Sequence, residues 1–444
     1  MELKQKYIDA ITKTVSEINS EKKSQLNNFR DKGLKQFKEL GLPDKSDENW
    51  LYTDLSPAFA TNWELKPKGL HRKIDIETIF TCDVPNFDTH LAIAFNGQYF
   101  DIGTDFPEGV IVGSLAKMSE QYPQLVEKYL FKAASHEQRM TNLNATLATD
   151  GFFLYIKENA HIEKPIQIVN AAFGNESFFI NQHNLIIAEK NSFAQIAYCD
   201  HTLSATPFFI NQLTEVFLEE NSGLELYNVQ NSHNDTTQVS SIYVNQNRGS
   251  NFHSNIVTLH GGLIRNELRV KLLEKEANCN ISAINLTDRK QHVDNHTCID
   301  HIAPNCTSNQ LYKGIYDDEA TGAFTGRIYV NKGAQKTEAY QSNKNILLTP
   351  NAKVHSRPQL EIYADDVKCS HGATTGQLDQ NAIFYMQSRG IDKKEARMLM
   401  MYAFANEIIS KIKIEPLAAK IEGLIYRRLR GELSRCAHCA IKCS

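Results

Sequence analysis

The chain has 444 residues, of which 41% are hydrophobic and 23% charged, a composition typical of a globular protein of two or three domains. The formal net charge of −4 argues against a nucleic-acid or anionic-membrane surface, no apolar stretch reaches the roughly 18 residues of a membrane span, and the polar start leads us to expect no secretory signal. Nine cysteines without framework spacing indicate free thiols in a reducing compartment, so we expect a cytoplasmic protein.

Residues 1–143 form the first predicted region, which combines helices with mixed structure. Apolar residues three or four positions apart predict an amphipathic helix at the start and a second helix that stops at Gly41. The compact segment GLPDKSDENWLYTDL follows and contains Trp50. Farther along, LAIAFNGQYF predicts a strand, and residues 125–130 predict a helix.

Residues 144–376 have the pattern of many short strands. Apolar and polar residues alternate with a period of two in one segment after another, without an intervening helical pattern. A similar turn recurs at intervals of roughly 19 to 32 residues, which is the range of repeat architectures. The turns are Glu158-Asn159-Ala160, Lys190-Asn191-Ser192, Glu220-Asn221-Ser222, Asn247-Arg248-Gly249, Ala277-Asn278-Cys279, Pro304-Asn305-Cys306, Asn331-Lys332-Gly333 and Pro350-Asn351-Ala352.

Two architectures fit this pattern of strands and turns. A sandwich joins antiparallel strands by hairpins and rarely repeats one asparagine turn at one phase. A parallel β-helix stacks equivalent turns coil upon coil, and asparagine tolerates the left-handed backbone that such a turn requires. Stacking also supplies the core that a single coil cannot bury. The periodicity therefore favours a mainly β fold, with a parallel β-helix core between helical regions.

Residues 377–444 return to helical patterns. One helix is predicted to end at Gly390, and Asp392 with Glu395 has the reciprocal capping arrangement that begins another. This second helix is apolar on nearly every side over residues 398–405, so it must be covered all round. Its cover is either the rest of this chain or another subunit, and the sequence leaves both possibilities open.

Common nucleotide-binding and hydrolase motifs are missing from the sequence. It contains no GxxxxGK[ST], GxGxxG, GxSxG or HExxH, so nucleotide binding by this chain is unsupported. The triplet Asp317-Asp318-Glu319 is reminiscent of a β-helix enzyme that acts on polysaccharide, but neighbouring strand residues point to opposite faces. Such a triplet is more often a turn, and an enzyme of that class would also need a secretion signal.

Three clusters contain residue types that bind metals. The first contains four residues that alternate along one predicted strand, and two that follow closely: His292, Asp294, His296 and Cys298, then His301 and Cys306. Side chains that alternate share one strand face and could form a soft-metal or cluster site. Ligands on one strand are too linear to close a tetrahedron without help, so an ordinary structural role is favoured.

The second and third clusters lie nearer the carboxyl end. Cys369 and His371 share a strand face, and Gly372 leaves room for another backbone, although a buried structural pair is the commoner interpretation of Cys-x-His. The third cluster is in the tail and comprises Cys436, His438, Cys439 and Cys443. Its spacing would let a short segment wrap one soft metal ion, but chain ends are usually mobile, so a use in the cell stays open.

The block PQLEIYADDVKCSHGATTG, with the longer run around it from residue 292 to residue 391, resembles the shared core of the SufB/SufD family of iron–sulfur cluster assembly proteins. The segment GLPDKSDENWLYTDL, the sequence KCSHGAT and the chain length are more similar to the SufD members than to the SufB members. The resemblance covers most of the chain and is strongest over residues 285–410.

The resemblance implies a right-handed parallel β-helix flanked by helical terminal regions. It also implies a non-catalytic scaffold subunit that pairs with SufB and carries the SufC ATPase, where the nucleotide chemistry would lie. Such a subunit would support iron entry and nascent cluster assembly at the SufB–SufD interface. It would hold no cofactor stably, and iron or an iron–sulfur cluster only transiently. The alternatives are a homodimer of the isolated chain and a SufB-like subunit that accepts sulfur directly.

The resemblance also implies roles for particular residues. The family's interface histidine falls on His371, with Cys369 beside it in the same block. The ATPase would dock on the apolar helix, near Met400, Met401 and Phe404. The cysteine-rich tail has no counterpart in this resemblance, and no nucleic-acid or membrane partner is implied.

Overall fold

The computed structural model describes residues 2–21, 26–65, 87–204 and 206–431. Its helices are α1 (Glu2–Glu21), α2 (Leu26–Leu40), α3 (Ser56–Ala60), α4 (Leu115–Gln121), α5 (Pro123–Tyr129), α6 (Arg139–Leu147), α7 (Gln380–Ser388), α8 (Lys393–Ile409) and α9 (Glu415–Leu429). Its strands are β1 (His90–Phe95), β2 (Gln98–Phe100), β3 (Val110–Ser114), β4 (Phe152–Ile156), β5 (Ile166–Ala172), β6 (Phe179–Ala188), β7 (Phe193–Thr202), β8 (Phe209–Leu218), β9 (Gly223–Asn231), β10 (Thr237–Gln246), β11 (Asn251–His260), β12 (Leu263–Leu272), β13 (Asn278–Thr287), β14 (His292–His301), β15 (Thr307–Tyr316), β16 (Thr321–Val330), β17 (Thr337–Leu347), β18 (Lys353–Ile362) and β19 (Val367–Gly376).

The strands form a parallel β-solenoid of about eight turns. From β4 onward the chain alternates between two sheets, and from β6 onward each strand pairs in parallel with the strand two places before it. One sheet contains β1, β2 and the odd-numbered strands from β5 to β19, and we call it the odd sheet. The even sheet contains β3 and the even-numbered strands from β4 to β18. This topology confirms the predicted parallel β-helix and excludes the sandwich.

The first strands of the solenoid differ from the pattern that the sequence predicted. Asn96 and Gly97 have φ of 48° and 80°, and they join β1 and β2 as a two-residue hairpin turn. The predicted single strand LAIAFNGQYF is therefore two antiparallel strands, because Asn-Gly favours the left-handed backbone of such a turn. β1 also pairs in parallel with β5, so the odd sheet begins before residue 144.

Alternate side chains from the two sheets meet in one core inside the solenoid. Ile166, Ile196 and Leu226 stack in register on successive coils of the odd sheet and are buried there. Ile186 and Val216 belong to the same core from the even sheet. Stacking buries an apolar face that each coil alone would leave in water, at a gain of about 25 cal/mol per Å² of apolar surface.

Part of this interior is polar. The buried Asp200 carboxylate accepts hydrogen bonds from the side-chain amides of Asn170, Gln212 and Gln238 at 3.0, 2.9 and 3.1 Å. Burial raises the pKa of Asp200 even though these donors favour its charged form. The solenoid therefore contains polar side chains that satisfy one another between neighbouring coils.

Left-handed residues repeat at one corner of the solenoid. Asn159, Asn191 and Asn221 have φ of 62°, 54° and 56°, and their side chains are linked by hydrogen bonds of 3.0 and 3.3 Å from one coil to the next. Asn305 is also left-handed, at 59°. In the other coils of this corner the left-handed residue is not the asparagine that the sequence suggested, but Gly249, Glu276 and Lys336.

Helices cover the outer faces of the two sheets. Helices α1 and α2, with the segment that contains Trp50, pack on the outer face of the even sheet, and α4 and α5 pack beside them. Helices α8 and α9 pack on the outer face of the odd sheet. None of the helices that the structure describes is both long enough and apolar enough to cross a membrane.

Candidate assembly surface at the open end of the solenoid

The last coil, made of β18 and β19, ends both sheets. β18 bonds to β16 and β19 bonds to β17, and no described strand bonds to the outer edge of either. Most of β19 is exposed, whereas β9, in the middle of the same sheet, is buried along its whole length. An edge strand presents unpaired N–H and C=O groups, which is a template for pairing with another chain. At this end the solenoid therefore presents an exposed strand whose outer edge is open to pairing.

Cys369 and His371 lie on this last coil, on the face that continues the inner wall. Their register partners on β17 are Ala339 and Gln341. Cys369 is half-buried against the cluster that contains Ala339, and burial raises the pKa of its thiol. His371 is exposed, and its ring has no hydrogen bond or ion pair to any described residue. A Cβ atom at Gly372 would meet nothing within 4 Å, so the backbone here is open to a partner.

Large exposed hydrophobic side chains surround the last coil. Tyr363 follows β18 and is 58% exposed, while Phe384 and Tyr385 of α7 are 73% and 61% exposed. Tyr340 and Ile362 are also exposed, on β17 and at the end of β18. We call these five residues the aromatic rim. Large exposed apolar side chains beside an uncovered sheet edge favour a protein–protein contact over free surface.

Comparison with protein families identifies the family to which this chain belongs. Residues 1–168 match the SufBD protein N-terminal region, and residues 171–404 match the SufBD core domain of the SUF system for iron–sulfur cluster assembly. The chain belongs to the SufBD family.

Individual relatives of this SufBD protein agree with that assignment. It is similar to an iron–sulfur cluster assembly SufBD family protein of Synechocystis, with 28% identity over 90% of this chain and 88% of the relative. It is 27% identical to the iron–sulfur cluster assembly protein SufD of Escherichia coli, over 90% of this chain and 92% of the relative. For SufD of Bacillus subtilis the identity is 26%, over 91% and 94% of the two chains.

In this SufBD protein, the predicted row of metal-binding residues on β14 is buried under the N-terminal region. The Thr53 hydroxyl donates to Asp294 Oδ2 at 2.5 Å and lies 3.0 Å from His292 Nε2. Arg265 Nη1 is 2.5 Å from the same Asp294 oxygen, and the guanidinium lies 3.9 Å from the Trp50 ring centroid. Burial is the largest influence and would raise the pKa of Asp294, but the Arg265 charge, the neighbouring histidines and the Thr53 hydrogen bond together outweigh it, and the pKa is lowered. These residues bind one another.

The rest of that row is equally enclosed. Burial lowers the pKa of His296 to about 4 and raises the pKa of the Cys298 thiol to about 12. His301, inside the solenoid, lies 2.9 Å from the Ser308 hydroxyl through its Nε2 atom. Cys306 is buried in the interior core. No group of three or more His, Cys, Asp or Glu residues in the described ranges is arranged to hold a metal ion. The contacts of Asp294 with Thr53 and Arg265 support the structural role favoured from the sequence.

The acidic triplet forms a turn, which is the interpretation favoured from the sequence. Asp317, Asp318 and Glu319 join β15 to β16, and Asp318 is left-handed with φ of 50°. The Asp318 carboxylate accepts a hydrogen bond from the Arg289 backbone N–H at 3.0 Å in the preceding coil. The triplet therefore caps a corner of the solenoid.

The apolar helix α8 is fastened to the outer face of the odd sheet. Lys313 Nζ on β15 donates to the Phe404 carbonyl at 2.8 Å and lies 4.2 Å from the centroid of its ring. Met401 is buried beneath the helix, whereas Met400 and Phe404 are half-buried and Ala403 is exposed. One side of α8 is thus covered by this chain, and another side, with Met400 and Ala403, remains accessible.

Two features of the open end were not predicted from the sequence, and one predicted cluster lies outside the described residues. The aromatic rim was missed, although the sequence contained a signal for part of it. Adjacent Phe384 and Tyr385 are about 100° apart around a helix, so a narrow buried stripe cannot include both, and one of them must be exposed. The buried amide of Gln341 behind His371 was also missed, since an isolated glutamine carries no pattern. The tail cysteines and His438 lie beyond residue 431.

Proposed function

We propose that this chain is a SufD-like scaffold subunit, which pairs with SufB through the open end of the solenoid and carries the SufC ATPase on its carboxy-terminal helices. The observation that carries the proposal is the uncovered last coil, with exposed His371 and the aromatic rim. The two relatives named SufD, which align over 90% and 91% of this chain, support a SufD-like rather than a SufB-like role. In this proposal the subunit catalyses no reaction alone and works in a reducing cytoplasm.

The chemistry of the last coil suits a cargo that must be held and then released. Imidazole and thiolate are ligands for iron and for iron–sulfur clusters. In the isolated chain the Cys369 thiol is protonated near neutral pH, because burial raises its pKa. It would therefore become a ligand only when iron displaces its proton. A site completed by a second subunit opens when the two subunits move apart, so iron or a nascent cluster would be bound transiently.

The ATPase would contact the accessible side of α8. Met400 and Ala403 lie there with the half-buried Phe404, while Met401 supports the helix from beneath. A movement of α8 would be transmitted to β15 of the solenoid through Lys313, which donates to the Phe404 carbonyl and pairs with the Glu407 carboxylate. Nucleotide hydrolysis in the partner could in this way act on the pairing of the two scaffold subunits.

Co-expression with SufB and SufC, followed by purification through a tag on this chain, tests the pairing surface. Tyr363→Glu combined with Phe384→Glu places charges in the aromatic rim and should remove SufB from the purified complex. Tyr122→Glu is the matched control. Tyr122 is 41% exposed and joins α4 to α5, which pack toward the opposite end of the even sheet from the last coil. Retention of SufB by the double variant would contradict the proposal. Loss of self-association instead would show that the surface serves a second copy.

The ATPase contact needs a separate variant on the accessible side of α8. Met400→Glu with Ala403→Glu should lower the amount of SufC that co-purifies and leave SufB bound. Met401 is unsuitable for this purpose, because charging a buried residue would detach the helix. Unchanged SufC would place the docking surface elsewhere.

The role of His371 is tested by cluster formation in the intact complex. His371→Ala should lower the rate of cluster assembly while SufB and SufC still co-purify. His161→Ala, at another exposed histidine, is the matched control and should assemble clusters at the wild-type rate. A normal rate in His371→Ala, or a variant that fails to pair, would contradict a direct role for the ring.

A further inference from the structure

The side-chain amide of Gln341 is buried directly behind the last coil. Gln341 is 3% exposed, and neither its Oε1 atom nor its Nε2 atom has a hydrogen-bond partner among the described residues. A buried amide without partners costs about 1–3 kcal/mol for each unpaired group. The fold therefore keeps, at this position, a polar group whose hydrogen bonds are not made by the neighbouring wall.

The opposite wall of the solenoid is shaped to receive this amide. Gly326 lies on β16, in the even sheet, and a Cβ atom there would be 2.3 Å from Gln341 Nε2. The Gln341 side chain thus spans the interior from the odd sheet to the even sheet, in space that any other residue at position 326 would fill. One coil deeper, the Gln310 Oε1 atom accepts from the Thr297 hydroxyl at 2.8 Å, so the oxygen of that amide already has a partner on the opposite wall, although its Nε2 atom has none among the described residues.

Register places Gln341 beside the exposed histidine of the open end. Gln341 and His371 are Cα partners on β17 and β19, on the same inner face, and neighbouring strands are about 4.8 Å apart. The ring has no partner among the described residues, and the amide oxygen is an acceptor without a donor. Two complementary unpaired groups are therefore adjacent, and rotation of the exposed ring about its side-chain torsions brings them together.

We propose that Gln341 is the positioning residue of His371, with Gln341 Oε1 accepting a hydrogen bond from one ring N–H. The other ring nitrogen then carries the lone pair and faces the uncovered end. A histidine whose second nitrogen is held in this way has a fixed tautomer and orientation, which is the usual arrangement behind a metal-binding imidazole. The contact belongs to the isolated chain, and its use for iron rests on the proposed function.

Nitrogen-15 NMR of the histidine rings tests the contact in the full chain without any partner or metal. Selective labelling of histidine, with the His371→Gln spectrum used for assignment, gives the ring nitrogen shifts of His371 at a pH where the ring is neutral. A single tautomer with a hydrogen-bonded N–H is expected in the wild-type chain. Ring shifts of a free imidazole that exchanges between tautomers would overturn the proposal without any variant at position 341.

Variants at position 341 distinguish a specific contact with the His371 ring from a general loosening of the solenoid interior. Gln341→Leu should move the His371 shifts to those of a free imidazole, whereas Gln341→Glu keeps an acceptor oxygen and should preserve the held tautomer. Gln310→Leu is the matched control, because it removes a buried amide one coil farther from the ring. Unchanged His371 shifts in Gln341→Leu, or an equal change in Gln310→Leu, would overturn the proposal.

A second measurement distinguishes this inference from the proposed function. In the complex with SufB and SufC, Gln341→Leu should lower iron retention about tenfold, the scale typical of groups that orient a metal-binding histidine. If His371→Ala leaves iron retention and cluster assembly unchanged, the proposed function fails, while the NMR contact still stands. If the NMR contact is absent but His371→Ala is defective, the ring acts without Gln341, and the positioning role fails alone.

Discussion

Glu215 shows, at the scale of a single residue, how the N-terminal region is joined to the solenoid. Its carboxylate is fully buried on β8 and lies 3.0 Å from His183 Nε2. It also accepts three backbone N–H groups, from Phe131, Ala133 and Ala134, at 2.6, 2.9 and 2.9 Å. Hydrogen bonds to a charged acceptor are roughly twice as strong as neutral ones, so this one side chain fixes the loop after α5.

We expect Glu215→Gln to destabilise the protein by about 2–4 kcal/mol. The amide NH₂ would face a backbone donor, so one buried N–H would lose its acceptor and the charge that strengthens the other bonds would disappear. Denaturant unfolding measures the loss. Glu158→Gln is the control, because Glu158 is exposed in a turn, and it should change stability by less than about 0.5 kcal/mol. Equal stabilities for the two variants would contradict this account.

Buried histidines should make the protein sensitive to acid. Burial lowers the pKa of His301 to about 4, from an ordinary value near 6.5. A group with a lowered folded-state pKa binds its proton more readily when unfolded, so stability is complete above about pH 6.5 and is lost as the pH falls towards 4. His301 alone accounts for a loss on the order of 3 kcal/mol over that range.

Thermal or denaturant unfolding at a series of pH values between 8 and 4 tests this sign. The wild-type chain should lose stability steadily below pH 6.5. A His301→Gln variant has no ring to protonate, so it should start from a lower stability and fall less steeply. Parallel curves for the two proteins would show that His301 does not contribute.

At the scale of elements, the corner where Asn159, Asn191 and Asn221 stack depends on residues that accept a left-handed backbone, and we call this stack the corner ladder. Gly249 has φ of 64° and continues the corner after Asn221, and a Cβ atom on it would lie 2.5 Å from Asn221 Oδ1. We expect Gly249→Ala to cost about 1–2 kcal/mol, from backbone strain and from this clash. Gly333→Ala is the control, because its Cβ atom would meet nothing within 4 Å. Similar unfolding midpoints for both variants would contradict the role of the ladder.

The attachment of α8 to the odd sheet depends on one buried cation. The Lys313 side chain is 3% exposed and pairs with Glu407, whereas Lys344 reaches the same carboxylate at 3.6 Å but is 42% exposed. Lys313→Met should speed hydrogen exchange in α8 before the solenoid strands, because the Phe404 carbonyl and Glu407 would lose their buried partner. Lys344→Met should leave α8 protected, since an exposed ion pair contributes little. Equal protection in the two variants would contradict this assignment.

At the scale of the whole molecule, the outer faces of the sheets and the open end of the solenoid have different roles. Helices cover the outer faces of both sheets, and the last coil ends them with an exposed strand, so we expect the pairing surface at this end. The proposed site on β19 does not need the cysteine-rich tail. Deleting the residues after Ser434 should therefore leave co-purification and cluster assembly near wild-type levels. A large loss of assembly in an otherwise intact complex would make Cys436, Cys439 and Cys443 working ligands.

Several properties of this protein follow from the sequence by itself. Alternation with a period of two and a recurring turn are local patterns, and each coil repeats them, so the parallel solenoid was predictable without distant contacts. The same holds for the helix that begins at Asp392, whose side chain caps the backbone N–H groups of Lys394 and Glu395. The block around His371 was likewise sufficient to indicate the family, as the matching family regions confirm.

Only the tertiary structure decided what each strand face meets. Alternation tells which side chains share a face, but it does not tell whether that face lies against another coil, a helix or solvent. For the face of β14 the sequence favoured a structural role over a metal site, but its partner Thr53, more than two hundred residues away in the sequence and bonded to Asp294, was visible only in the structure. The same limit hid Gln341, because Gly326 on the opposite wall and its neighbour His371 come from other strands. Burial is a property of contacts between distant segments, and local periodicity does not contain it.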